Sequence, residues 1–477
     1  MADPAIAQTT ISPIDLLPVI QRTYPTSEAL DASIVRAAAA QKEWAAVPLA
    51  ERIAIGQKFI DEFTTMGERV PAELAKQMGR PISQGAGEMR GFLERARYML
   101  SIAESNLSDI PLEDTDKPGF RRFIKRVPLG VVLVIAPWNF PYLTAINSVF
   151  PAIIAGNAVL YKPSPQTPLS AERFSLGLHR AGVPRDVVIP LHLNPELTKQ
   201  VIQHPLVNFV SFTGSVEGGR TVEQAAVSAP GFKGVALELG GKDPAYVRAD
   251  ADLDYTAAEL VDGTMFNSGQ SCCAVERIYV HESVYDDFVS KAVEIVKKYK
   301  LGDPNRSDTT LGPVVSLASA ERIRKQVADA VAAGAKALVP PNLFRAAKPD
   351  TCYVAPQILV DVNHTMDIMM EETFGPVVGI QKVESDEEAV KLMNDSPYGL
   401  TASIWTNAAE HPESEEAFLK LEDQLECGTV FLNRCDYLDP ALAWTGVKNS
   451  GRGVSLSKFG YDQLTRPKNV HMKIKTV

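Results

Sequence analysis

The chain has 477 residues, 45 % of them hydrophobic and 22 % charged, with a formal net charge of −10. Such a composition suits a globular protein with two or three cores, and the negative balance argues against general nucleic-acid binding. No window approaches the ~18 uncharged apolar residues of a membrane span, and the first residues show neither a basic start nor an apolar signal core, so a cytoplasmic protein is expected. Five cysteines form an odd, sparse set and seven histidines are scattered, which speaks against a disulfide framework and against a metal site.

Residues 1–27 are weakly periodic and read as a surface arm. From 27 to 107 the pattern is helical, with Leu30, Ile34, Ala37 and Ala38 on one face and Ile53, Phe59 and Phe63 continuing it; Gly79-Arg80-Pro81 interrupts the run. The basic cluster at 120–126 alternates with apolar residues and reads as a strand with a solvated face. Residues 130–136 are an unbroken apolar run suited to a strand buried on both faces, stopping at Pro137-Trp138-Asn139-Phe140-Pro141 before a helix to Ile154. An α/β rhythm follows: strands at 158–161, 187–193 and 208–212, helices at 170–181 and 196–204, and a Gly-rich turn, Thr213–Gly219, ahead of a helix expected from Arg220. Strands alternating with helices imply a parallel sheet, whose strand ends are where ligands sit. After a strand at 234–238, Leu239-Gly240-Gly241-Lys242 reads as a hinge into a second α/β region, and 371–378, 394–400 and 449–453 as loops.

In that second region lies Asn267-Ser268-Gly269-Gln270-Ser271-Cys272-Cys273. A thiol on a polar turn that Gly269 lets bend sharply can stand free in a cleft and act as a nucleophile. Two adjacent cysteines could equally be small core residues.

Six motifs in order settle that choice: Pro137–Pro141, Thr213–Ser215, 237–242, the Gly269–Cys272 turn, 371–376 (Glu-Glu-Thr-Phe-Gly-Pro) and 397–400 (Pro-Tyr-Gly-Leu). Together they resemble the aldehyde dehydrogenase superfamily across nearly the whole chain. The resemblance implies that Cys272 attacks the aldehyde to give a thiohemiacetal, that the Asn139 amide and the Cys272 N–H hold its oxyanion, and that hydride transfer to a nicotinamide leaves a thioester. Glu238 then activates the water that hydrolyses it. Cys273 is left to packing. For NAD or NADP the resemblance places Lys162, Ser164 and position 165 at the adenosine ribose, and Thr213, Gly214, Ser215 and Gly219 at the diphosphate. Glu372 falls at the nicotinamide ribose, with Phe374, Trp138 and Leu239 beside it. Rival roles for single residues are a helix cap for Asn139 and an ion pair for Glu238.

Two positions depart from the family pattern. Pro165 stands where many NAD-preferring members carry a glutamate that repels a 2′-phosphate, so tolerance of NADP is expected. Ala443-Trp444-Thr445-Gly446 replaces the common Pro-Phe-Gly-Gly, which puts Trp444 opposite Phe140 with Phe266 as a third aromatic wall and favours an apolar or aromatic aldehyde. Arg434 offers a semialdehyde carboxylate a partner, or else joins a local ion pair. The implied architecture is α/β: a Rossmann-like cofactor domain (1–109 and 129–239), an α/β catalytic domain (240–463), and a β-strand oligomerisation arm (110–128 and 464–477) building a homodimer or homotetramer. Other readings are a CoA-acylating relative, a catalytically silent protein on the same scaffold, and a cysteine hydrolase, for which His281 is the nearest histidine in sequence. Neither nucleic acid nor membrane is an expected partner.

Overall fold

The computed structural model describes residues 7–112 and 117–475; the remaining parts of the expected arms, at 1–6, 113–116 and 476–477, lie outside them. Residues 7–23 correct the first expectation. They form an antiparallel hairpin, β1 (Ala7–Ile11) with β2 (Pro18–Thr23), and Ala7, Gln8 and Thr10 are buried. The Thr10 hydroxyl donates to the Pro165 carbonyl at 2.7 Å, a tertiary contact that local periodicity does not encode.

Five helices follow: α1 (Ser27–Ala46), α2 (Leu49–Met66), α3 (Val70–Met78), α4 (Ile82–Ser101) and α5 (Ala103–Leu107). Their apolar faces are buried as the helical spacing predicts, with Leu30, Ile34, Ala37, Phe59 and Phe63 fully enclosed. Gly79 ends α3 at φ 83° and Pro81 precedes α4, so Arg80 sits on a sharp corner between two helices. Beyond them β3 (Ile110–Pro111) pairs with β4 (Phe120–Pro128).

The first large sheet holds β5 (Val131–Ile135), β6 (Ala158–Lys162), β7 (Val188–Pro190), β8 (Val207–Thr213) and β9 (Gly234–Glu238), mutually parallel in the order β9-β8-β5-β6-β7. Its crossovers are α6 (Pro141–Ile154), α7 (Leu169–Ala181), α8 (Pro195–Gln203) and α9 (Val216–Val227). Every residue of β5 is buried, as expected of a central strand covered on both faces. Helix α9 starts at Val216 rather than at Arg220, because the Ser215 hydroxyl accepts the Gly218 N–H at 3.1 Å and caps it.

The second sheet is built from β10 (Asp243–Val247), β11 (Val275–His281), β12 (Lys336–Ala337), β13 (Gln357–Val360) and β14 (Val377–Val383). After the short β15 (Tyr398–Gly399), β16 (Thr401–Trp405) and β17 (Thr429–Leu432) complete the order β12-β13-β14-β11-β10-β16-β17. Helices α10 (Leu253–Met265), α11 (Tyr285–Val296) and α12 (Leu317–Ala332) belong to this part of the chain. Finally β18 (Val447–Lys448) pairs with β15, β19 (Gly451–Arg452) returns to pair antiparallel with β9, and β20 (Thr465–Lys473) pairs with β4 along its length. Residues 239–242 alone connect β9 to β10, so the carboxyl edge of the first sheet faces the amino edge of the second.

Candidate active site

Between those two edges lies a cleft of about 200 Å³. Trp138 and Asn139 reach it from the end of β5, Thr213, Gly214 and Ser215 from β8, Glu238 and Leu239 from β9, Cys272 from the turn before β11, and Glu372 and Phe374 from the loop before β14. Five of the six sequence motifs therefore converge, although they are spread over more than two hundred residues; the sixth, 397–400, does not line the cleft. Gly240 and Gln270, from two of the motifs, also line it, as do Thr144, Ser319 and Arg322, which were not singled out from sequence.

The turn before Cys272 is held in a rare backbone conformation. Asn267, Ser268 and Gly269 have φ of 52°, 57° and 72°, three left-handed residues in succession. At Gly269 a side chain is excluded outright, since a Cβ would lie 2.1 Å from the Gly375 carbonyl oxygen. Side chains hold the rest: Ser268 donates to the Gly312 carbonyl at 2.9 Å, Asn267 to the Gln270 carbonyl at 3.1 Å, and Gln270 Oε1 accepts the Val315 N–H at 2.8 Å. Cys272 emerges half-buried beside the fully buried Cys273. The Cys273 thiol donates to Asp436 at 3.0 Å, as does the Ser271 hydroxyl at 2.9 Å. Hydrogen bonding to Cys272 and burial push the Cys273 thiol well up, which keeps it protonated, and burial raises Asp436 to about 6.

Asn139 does not cap the helix after it. Position 140 is the N-cap and makes no side-chain cap bond; the N–H groups of Tyr142 and Leu143 go to Glu88 Oε1 at 2.8 and 3.3 Å. Glu88 in turn pairs with Arg80, and both are buried. The Arg80 guanidinium also donates to the Asn139 carbonyl and, at 3.1 Å, to Asn267 Oδ1, and it lies 4.3 Å from the centre of the Phe140 ring. One buried arginine thus ties Asn139 to the turn that carries Cys272. Sequence gave no hint of this beyond its place between Gly79 and Pro81.

Glu238 accepts from Thr213 Oγ1 at 3.2 Å and from Ser455 Oγ at 2.6 Å. Burial pushes its carboxyl above the ordinary range, offset in part by those two hydroxyls and by the charge of Arg95. No ion pair to Glu238 forms among the described residues, so its rival role falls away.

The other end of the cleft fits a dinucleotide. Glu372 accepts the Gly241 N–H at 3.1 Å, and a Cβ on Gly240 would lie within 2.5 Å of its carboxylate, so the carboxylate needs a bare backbone beneath it. Burial first, then the nearby Glu276 charge, raises Glu372 to about 7. Phe374, at φ 51°, sets its ring edge-on to Trp138 at 5.6 Å. The open N-terminus of α9 suits a diphosphate; Gly219, inside that helix, packs on Leu239, where a Cβ would meet Leu239 at 2.7 Å. Lys162 ends β6, and desolvation brings its ammonium down to about 8. Ser164 Oγ accepts the Gln166 N–H at 3.2 Å, while the Pro165 carbonyl is taken by Thr10.

On the substrate side, Phe140 and Phe266 lie parallel at 5° with centroids 6.4 Å apart. Trp444 departs from expectation: it is buried in the core that also contains Cys273, it bridges to Ser455, and it makes no ring contact with Phe140 among the described residues. Arg434 is exposed and stacks 3.5 Å over Tyr437 instead of joining an ion pair. His281 ends β11, at the far end of the strand from Cys272, and bonds Ser283, which removes it as a partner for the thiol. Among the described residues no cluster of His, Cys, Asp or Glu could hold a metal, and no helix is long and apolar enough to cross a membrane.

The aldehyde dehydrogenase family matches residues 3–470. A succinate-semialdehyde dehydrogenase [NADP(+)] of Mycobacterium avium is 33 % identical over 451 residues, spanning 94 % of this chain and 93 % of the relative. Lactaldehyde dehydrogenase of Escherichia coli is 32 % identical across 95 % of this chain and 93 % of its own. Among solved structures, the succinic semialdehyde dehydrogenase of Streptococcus pyogenes in complex with NADP+ superposes with a TM-score of 0.90 at 28 % identity, covering 98 % of this chain and all of that one. The chain belongs to the aldehyde dehydrogenase family. It is an oxidoreductase of that family that uses NAD or NADP.

Proposed function

We propose that the protein oxidises an aldehyde to a carboxylic acid through a covalent intermediate on Cys272; the convergence of Cys272, Asn139 and Glu238 on one cleft carries the reading. The Cys272 thiolate adds to the aldehyde carbon, and the oxygen of the new thiohemiacetal is received by the Asn139 amide and the Cys272 N–H. When bound, the dinucleotide supplies the two-electron acceptor. Water then attacks the thioester left on Cys272; Glu238 takes a proton from that water, and the thiolate departs as the acid is released. A carboxylate raised above its ordinary range is the stronger base, and the Thr213 and Ser455 hydroxyls keep it ionisable.

At the adenosine ribose Pro165 offers no negative charge, so a 2′-phosphate meets no repulsion there, which supports acceptance of NADP beside NAD. The parallel Phe140 and Phe266 rings support an apolar or aromatic aldehyde. A semialdehyde is the second reading, favoured by the relatives and by Arg95. Arg95 is 7 % exposed, bonds only the Leu143 carbonyl (2.6 Å) and Asn147 Oδ1 (3.2 Å), and forms no ion pair among the described residues. A homodimer or homotetramer is supported by β20, an edge strand of the outer sheet. The test is reduced-nicotinamide absorbance with NAD and NADP against benzaldehyde, an aliphatic aldehyde and succinic semialdehyde, with Cys272→Ala as control. Aldehyde-dependent reduction that disappears in the variant is expected; reduction that survives it rules out the thiol.

A further inference from the structure

Residues 371–376 carry Glu372 and Phe374 into the cleft without belonging to a helix or strand. What fixes them is a second layer of buried charge. Glu276 on β11, 3 % exposed, accepts the Thr373 N–H at 2.7 Å on one carboxylate oxygen and the Phe374 N–H at 2.8 Å on the other. Lys242, 1 % exposed, donates to the same carboxylate at 2.6 Å and to the Thr373 hydroxyl at 3.1 Å. The Lys242 carbonyl accepts Arg277 Nε at 2.8 Å, so the Lys242 backbone is itself anchored to β11. Only an ionised carboxylate can accept two consecutive peptide N–H groups and an ammonium together; a glutamine would turn a donor toward one of them. The grip also explains Phe374, whose left-handed backbone is held by the N–H that Glu276 receives.

We propose that Glu276 is a positioning residue for dinucleotide binding: through the Thr373 and Phe374 peptides and through Lys242 it sets Glu372 and Phe374 in the cleft without touching the cofactor. This rests on the reading of Glu372 as a ribose ligand. Glu276 acts on Glu372 in a second way, because the two carboxylates repel. The charged groups that face Glu372 are Glu276, Lys242 and Arg322; the first raises its pKa and the other two lower it. Neutralising Glu276 therefore makes Glu372 ionise at lower pH.

Glu276→Gln and Glu372→Gln are compared with the parent protein by equilibrium titration with NADP+ and NAD+, read from tryptophan fluorescence across the neutral pH range. Hydrolysis of 4-nitrophenyl acetate, which needs the Cys272 thiol and no cofactor, reports the other end of the cleft. Glu276→Gln is expected to weaken both dinucleotides by about tenfold or more and to move the midpoint of the pH dependence downward while ester hydrolysis continues. Unchanged affinity with ester hydrolysis intact overturns the proposal. If Glu276→Gln fails to fold, Lys242→Met/Glu276→Gln, which removes both charges of the buried pair, carries the same expectation for affinity. Should Glu372→Gln bind as the parent does, the ribose assignment falls and the proposal with it; should it weaken while Glu276→Gln does not, the proposal alone falls.

Discussion

Two buried ion pairs hold the two ends of the cleft, and they do it differently. Arg80–Glu88 serves the end that holds Asn139 and Cys272. Its flat guanidinium reaches Glu88, the Asn139 carbonyl and Asn267 Oδ1 at once, and the Phe140 ring covers it. Lys242–Glu276 serves the cofactor end, where the carboxylate makes the peptide contacts and the ammonium is a point charge on its flank. In each pair one member spans several directed hydrogen bonds, and its partner balances its charge in a dry interior while adding contacts of its own, Glu88 to the Tyr142 and Leu143 N–H groups and Lys242 to the Thr373 hydroxyl. An ion pair that is a weak source of stability is here a source of geometry.

The largest effect should come from breaking the first pair. Arg80→Met leaves Glu88 buried and alone, which costs about 3–5 kcal/mol, and thermal unfolding should show it. Arg80→Lys should not restore activity, since an ammonium lacks the fork that reaches Asn139 and Asn267 together. Asn139→Ala removes the donor without touching that pair. A loss of about 3 kcal/mol in transition-state stabilisation, seen in kcat with unaltered melting, would separate what Arg80 holds from what it holds in place.

A pH profile sharpens the comparison further. Glu238 must be ionised to act as base, and its pKa lies above the ordinary carboxylate value, so turnover should fail as pH drops through that raised pKa. Ser455→Ala removes a hydrogen bond to the ionised form and should shift the acid limb upward; an unmoved limb would detach Glu238 from catalysis. The smallest change is expected furthest from either ion pair. Pro165→Glu should weaken NADP by about tenfold while leaving NAD comparable, measured as the ratio of the two KM values.

Legibility in the sequence followed contiguity. Trp138-Asn139, Thr213–Ser215 and the Gln270–Cys272 turn are short runs that carry the family resemblance, which implied their roles, and β5 announced itself by five consecutive apolar residues. Arg80, Glu276 and Asp436 were silent, because a charged residue is expected at the surface unless its partner is known, and their partners lie far along the chain. The N-terminal hairpin was hidden for a related reason: its stability comes from Pro165 and Gln166 rather than from its own alternation. Helix α9 was placed four residues late because Gly218 and Gly219 read as a turn, whereas the Ser215 cap draws them into the first helical turn.

The three left-handed residues before Cys272 also bear on how the protein comes into being. Three of their supports, the Gly312 carbonyl, the Val315 N–H and the close face of Gly375, leave the ribosome after the cysteine does, whereas Arg80 and Gln270 precede it. A nascent chain exposes the thiol well before it can hold it in shape. The full set of supports is therefore complete only late in synthesis, after β5 to β9 have been made.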